Sequence, residues 1–259
     1  MTLARALILL VLFGPFGAPP AMAERLVVSL SNNRVAVTSS FVGENLVLFG
    51  VIEPGPDHAA LRSNYDLVVT MTGPPETMRT RRKERVLGIW VNIDWREFVR
   101  VPSYLSILSN RPVEDIADAD LRRRLQVGLD YFLLTQRIGP DIADTVRDDP
   151  FRVAFVRLQT LYGLYRQSSS AVTFLTPSVF RVAIPLPSNV PTGSYPIDVK
   201  LFSGGQMVAR TTSTLDVIKT GVEQYVVDAS RNYGLIYGAA TSLMALLIGW
   251  FASVVFRRD

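Results

Sequence analysis

From Tyr233 to Phe256 the chain reads YGLIYGAATSLMALLIGWFASVVF, an apolar run without a single charge, and Arg257, Arg258 and Asp259 follow at once. At ~1.5 Å of rise per residue a helix through this run is about 36 Å long, enough to cross a hydrocarbon core of ~30 Å with some tilt. The segment therefore predicts a membrane-spanning helix over 233–256. Basic residues beside a span favour the cytoplasmic side, so Arg257 and Arg258 are the topology determinants that predict a cytoplasmic tail over 257–259. The bulk of the chain is then expected across the membrane, in a bacterial periplasm, held by a single pass through the inner membrane.

The other end agrees. Met1 to Ala23 combines Arg5, the apolar run ALILLVLF, the helix breakers Gly14, Pro15, Gly17, Pro19 and Pro20, and a closing Ala21-Met22-Ala23. This reads as a secretory signal peptide, residues 1–23, with an A-x-A cleavage site before Glu24. The alternative is an uncleaved signal anchor, whose apolar core is short for a span and is broken by Pro and Gly. Either way Arg5 keeps the N-terminus inside, and the segment from 24 to about 232 is exported.

The exported part is long enough for one sizeable domain. It contains no cysteine, so no disulfide holds it, and thiol catalysis, Cys-ligated zinc and iron–sulfur clusters are excluded. Without Arg5 the 27 basic and 23 acidic residues become 26 and 23, a net charge of +3. An exported domain meets no genomic nucleic acid, so anionic lipid or an acidic partner is the sensible counterpart of such charge.

Hydrophobic period divides the exported chain. Between Arg25 and about Ile107 short runs rich in Val, Ile, Leu and Phe alternate with the turn clusters Ser31-Asn32-Asn33, Val42-Gly43-Glu44-Asn45, Pro54-Gly55-Pro56-Asp57 and Gly73-Pro74-Pro75. Among these runs RVLGIWVNIDW reads as one strand. The spacing predicts an antiparallel sandwich. From about 112 to 168 the period is helical: Asp118 is placed to cap a helix through ADLRRRLQVGLDYFLL, and Asp149-Pro150 to open a second. In the second, Phe151, Ala154, Phe155, Leu158, Leu161, Tyr162 and Tyr165 fall on one apolar stripe, expected to pack on a sheet. Strands then return, with Tyr195, Ile197, Val199 and Leu201 alternating against Pro196, Asp198, Lys200 and Phe202 as a half-buried hairpin strand, and Ser203-Gly204-Gly205 as its turn. Pro191-Thr192-Gly193-Ser194-Tyr195 resembles the corner of immunoglobulin-like sandwiches at which a tyrosine hydroxyl ties back to the chain. The expected fold is mainly β: an immunoglobulin-like antiparallel β-sandwich over 24–218 with an inserted helical segment, or two abutting sheets, then a juxtamembrane stem over 219–232 and one C-terminal transmembrane helix.

A Val/Ile-rich exported half, the LRRRLQVGLD helix, a P-x-G-x-Y hairpin and one C-terminal span together resemble the alphaproteobacterial "putative transmembrane protein" family, over nearly the whole chain. The resemblance implies an envelope location and brings no catalytic residues with it.

Chemical sites are sparse. His58, the only histidine, lies beside Asp57 in the loop EPGPDHAALRSN; a single histidine without cysteine reads as an exposed loop residue rather than as a general base or metal ligand. There is no G-x-S-x-G elbow and no S-x-x-K. Two acidic clusters, Glu114, Asp115, Asp118, Asp120 and Asp141, Asp144, Asp148, Asp149, could be read as calcium ligands or a glycosidase pair, but both stand at predicted helix starts, where capping accounts for them. No catalytic residue and no cofactor is assigned.

Interaction signals are stronger. Arg79, Arg81, Arg82, Lys83 and Arg85 form a dense basic run, expected in an exposed loop or strand entry and suited to lipid or partner contact, or else to guarding a sheet edge. Trp90 and Trp95 bracket VNID, and their odd spacing points them to opposite faces of a strand, one inward and one available for ligand contact. Within the span, Gly234, Gly238, Ser242, Ala245, Gly249 and Ala252 form a stripe of small residues that lets another helix approach closely. These features predict a non-enzymatic accessory or interaction protein, a subunit of or partner to another inner-membrane component such as a transporter, pairing with it or with itself through the span. A periplasmic glycan- or solute-binding module is the alternative, and a carboxylate-dependent hydrolase a more distant one.

Overall fold

The computed structural model describes residues 24–55, 64–220 and 230–255. The predicted signal peptide (1–23), His58, most of the predicted stem (221–229) and the arginine pair at 257–258 lie outside the described residues.

Period-two alternation builds the first sheet. In β3 (Glu44–Pro54) Leu46, Leu48 and Ile52 point inward while Phe49 and Val51 point out. β3 is flanked by β1 (Glu24–Leu30) and β12 (Val179–Leu186), and β11 (Val172–Phe174) closes the order β1-β3-β12-β11. Gly50 faces Phe180 across the β3–β12 pair, and a Cβ at Gly50 would come 2.2 Å from the Phe180 ring. The glycine leaves room for the ring, a close approach that no other residue permits.

The second sheet has the order β10-β7-β4-β13-β14-β2. It comprises β10 (Tyr165–Ser168), β7 (Leu105–Ser109), β4 (Asp66–Thr72), β13 (Gly193–Ser203), β14 (Gln206–Lys219) and β2 (Arg34–Val37). Most pairs are antiparallel, as expected, but β10 runs parallel to β7 and β2 parallel to β14. Leu67, Val69 and Met71 of β4, with Tyr195, Ile197, Val199 and Leu201 of β13, meet the first sheet in the sandwich core. At the predicted corner the Tyr195 hydroxyl donates to the carbonyl of Pro191.

The opposite face of this second sheet is covered too. Val68, Leu105, Ile107 and Phe202 join a second core with Phe98, Val113, Ile116, Leu121, Phe155 and Tyr165. The half-buried expectation for β13 is therefore corrected: Phe202 is wholly buried and Lys200 is 3% exposed. The Lys200 ammonium is satisfied by Asp198, which also takes Nε of Arg210 at 2.8 Å. Desolvation lowers the pKa of Lys200 from its ordinary value, against the pull of Asp198.

Much of the second core comes from the 112–168 region, which is only partly helical. After α1 (Val113–Ile116), the Asp118 carboxylate accepts from the Leu121 N–H at 2.7 Å and opens α2 (Ala119–Leu125) as expected. The helix stops nine residues short of the predicted end. Gln126 turns left-handed at φ 53° and Gly128 follows at φ 104°, so VGLDYFLL does not continue it. Instead β8 (Thr135–Ile138) and β9 (Asp141–Asp144) form a hairpin, which places Asp141 and Asp144 on a strand rather than at a helix start. Asp149 does cap α3 (Pro150–Leu161), accepting from Phe151 and Arg152 N–H.

α3 is rotated from the predicted stripe. Its buried residues are Arg152, Phe155 and Gln159, whereas Leu161 and Tyr162 are exposed and Tyr165 belongs to β10. Arg152 decides the rotation. Its guanidinium donates to the carbonyls of Leu129, Asp130 and Phe132 and to Thr145 Oγ1, pinning the loop between α2 and β8. Satisfying several buried carbonyls outweighs burial of one more leucine. Phe155 stacks on Phe98 with ring centroids 4.6 Å apart. That contact fixes the root of the third sheet, order β5-β6-β8-β9, built on β5 (Pro75–Val86) and β6 (Ile89–Pro102).

Candidate membrane and partner interface

The basic run and the tryptophans, separate signals in the sequence, lie on one hairpin. RVLGIWVNIDW is not a single strand: the chain reverses at Leu87-Gly88, where both residues have positive φ, 51° and 88°. Such a two-residue turn matches the twist of the strands it joins, and Asn-Gly is its usual sequence. Leucine in the left-handed region costs about 1 kcal/mol, a preference overridden here at a residue that is 99% exposed. The basic run is consequently the body of β5, not a loop.

β6 pairs with β8 only at Phe98, so the distal part of the β5–β6 ribbon has no third strand among the described residues. Its register is Arg81 opposite Trp95, Arg82 opposite Asp94, Lys83 opposite Asn92 and Arg85 opposite Trp90. Ile93 is the extra residue of a bulge, and one extra residue reverses the parity of the strand. Trp90 and Trp95 therefore share a face, contrary to the expectation from spacing. Arg79, Arg81, Lys83 and Arg85 lie on that same face, since cross-strand partners project to the same side. Neither tryptophan enters a core: Trp90 is 71% and Trp95 50% exposed.

Electrostatics separates the root of the ribbon from its end. At the root, Arg79 pairs with Glu97 at 3.1 Å and lies 4.4 Å from the centre of the Trp95 ring, while Arg137 approaches Glu97 from β8 at 3.2 Å. The Arg79 guanidinium, with Arg137, holds the Glu97 carboxyl below its ordinary pKa. Arg82 has Glu84 at 3.9 Å and Arg96 has Asp94 at 3.4 Å. Arg81 and Lys83 make no ion pair within 4 Å among the described residues, and Arg85 only donates Nε to the Gly88 carbonyl. At the turn Val86, Leu87, Ile89 and Trp90 form an exposed apolar tip. Taken as one strand, RVLGIWVNIDW hides the tip; the Gly88 embedded in it is the sequence signal of the turn.

The second element is α4 (Gly234–Val255), within a residue of the predicted span at each end. Its 22 residues have a mean hydropathy of 1.8, and none is buried within the chain. The small residues follow the predicted spacing. Ser242 donates its hydroxyl to the Gly238 carbonyl at 2.8 Å, so it presents no unsatisfied donor to lipid, and a Cβ at Gly234, Gly238 or Gly249 would meet nothing within 4 Å. A family described as "Putative transmembrane protein" matches residues 25–258, the β-rich body and α4 together. The chain belongs to that family. Its membership and the span make this a membrane protein. No curated protein matches the chain. Among solved structures, the N-terminal domain of the Streptococcus gordonii adhesin Sgo0707 is similar over 75% of this chain and 32% of that one, at 9% identity and a TM-score of 0.27. This chain spans about a third of that structure, and so distant a likeness carries no argument.

The acidic clusters do not converge on a site. Asp118 and Asp149 are spent on helix caps, and no group of three or more metal-ligating side chains occurs among the described residues.

Proposed function

We propose that this is a non-enzymatic, membrane-anchored accessory or interaction protein of the bacterial inner membrane. Its β-rich body occupies the periplasm and its C-terminus the cytoplasm, and it serves as a subunit of or partner to another inner-membrane component such as a transporter. The observation that carries the reading is α4: an uncharged helix with no buried residue, whose small residues recur at spacings of four and three along one side. In lipid, helices associate by close packing, which small residues permit and leucines obstruct. The test is crosslinking in native membranes of the natural chain and of the triple variant Gly238→Leu, Ala245→Leu, Gly249→Leu. The expected outcome is loss of a specific crosslinked species with membrane insertion unchanged; an undiminished species would remove the stripe from the argument.

A further inference from the structure

We infer that the tip of the β5–β6 hairpin inserts into the surface of the anionic phospholipid bilayer that holds α4. The inference rests on the anchoring reading above and gives the hairpin a ligand of its own. Three observations converge. The tip carries large apolar side chains, Val86, Leu87, Ile89 and Trp90, on a point rather than in a groove, with Leu87 99% exposed at a turn position where a polar residue would be less strained. Immediately behind it, Arg81, Lys83 and Arg85 share the tryptophan face with no carboxylate partner within 4 Å among the described residues. The tether is short as well: roughly 14 residues separate the end of β14 at Lys219 from the start of α4 at Gly234, a reach of at most ~50 Å.

The order of groups matches the order of layers in a bilayer. At ~3.3 Å per residue, Arg85 lies about 7 Å, Lys83 about 13 Å and Arg81 about 20 Å behind Leu87. A headgroup region is ~5–7 Å thick on each side of the hydrocarbon. With Leu87, Val86 and Ile89 at the acyl boundary, Arg85 and the amphipathic Trp90 stand at the phosphate level, and Lys83 and Arg81 sit in the attractive potential outside it. A two-stranded ribbon is marginal in water, and this environment supplies the missing apolar contact.

The test uses the full chain in single nanodiscs. Because the sequence has no cysteine, Leu87→Cys takes one environment-sensitive fluorophore, and Thr173→Cys, at the exposed position of edge strand β11, is the control. In discs containing phosphatidylglycerol the probe at 87 should shift to the blue and be quenched by lipids brominated near the headgroup, while the probe at 173 stays aqueous. Discs of phosphatidylcholine alone should weaken the shift. The triple variant Arg81→Glu, Lys83→Glu, Arg85→Glu should abolish it, since each cation lost costs about fivefold in surface affinity. An unchanged melting profile of that variant shows that the fold is intact. An aqueous probe at 87 in both lipids overturns the proposal, as does a shift confined to native membranes with a crosslink from position 87 to one polypeptide, which would assign the tip to a protein. Flotation of the chain with vesicles after alkaline extraction keeps the readings distinct: floating chain with an aqueous probe sinks the hairpin inference alone, and failure to float sinks the anchoring as well.

Discussion

β3–β12 and β5–β6 are both antiparallel ladders of eight or more residue pairs, both rich in Val, Ile and aromatic side chains, yet they have opposite fates. In the first, Leu46, Leu48, Ile52, Phe180, Val182 and Ile184 are closed over by the second sheet. In the second, towards the turn, one face bears Lys83, Arg85 and Trp90 and the other Val86, Ile89 and Val91, all left exposed by the described residues. The difference teaches that strand-like composition does not measure burial. What decides is whether another layer is present, and at the end of the ribbon this chain provides none.

The sharpest way to break the comparison is Phe180→Ala. The ring lies over Gly50 and against Phe174, at 6.1 Å between centroids, and its removal leaves a cavity that the stiff β3–β12 pair cannot close. The expected loss is about 3–5 kcal/mol, read by denaturant unfolding of the detergent-solubilised chain. A loss as small as that of a surface substitution would mean that the two ladders are energetically alike.

A smaller effect is expected at the edge of the sandwich. Burial works to raise the Asp66 pKa, but Arg111, which donates Nε at 2.6 Å, and Asn110 at 3.0 Å outweigh it and hold the carboxyl below its ordinary value. A folded-state pKa below the unfolded one gives stability that is present above the unfolded value of ~3.9 and disappears as pH falls through the lower folded value. Asp66→Asn should therefore destabilise the chain at neutral pH and flatten the acid limb of its stability profile below about pH 4. Unfolding midpoints at pH 7 and pH 3 check this, and equal midpoint losses at both would refute it.

The smallest effect belongs to the tip. Leu87→Asn restores the usual residue of a turn with positive φ, so it should leave stability unchanged or raise it by up to ~1 kcal/mol while weakening the membrane contact. Stability and bilayer contact moving in opposite directions would sharpen the contrast between a core ladder and a contact ladder. A clear destabilisation would show that the tip is structural.

How far the chain could be read in advance follows the range of the interactions. The tyrosine tie to Pro191, the caps at Asp118 and Asp149 and the Ser203-Gly204-Gly205 turn are contacts within a few residues, and all were legible. The early end of α2, the β8–β9 hairpin and the rotation of α3 were not. They depend on a left-handed Gln126 and on Arg152 reaching carbonyls some twenty residues away. Of the candidate interface, each ingredient was visible: the small-residue stripe, the basic run and both tryptophans. Their juxtaposition was hidden by a bulge at Ile93, which shifts parity without leaving a conventional sequence mark, and by a turn at Leu87-Gly88 marked only by its glycine.

By itself, then, the sequence determined the mainly-β class, the C-terminal apolar span and the local caps and corners, because period, length and short-range hydrogen bonding are properties of neighbouring residues. Only the tertiary structure decided that the second sheet is buried on both faces, that α3 turns an arginine inward, and that cations and tryptophans share one face of a ribbon whose distal part has no third strand among the described residues. Those outcomes depend on which layers meet, and burial of one surface is defined only by the arrival of another.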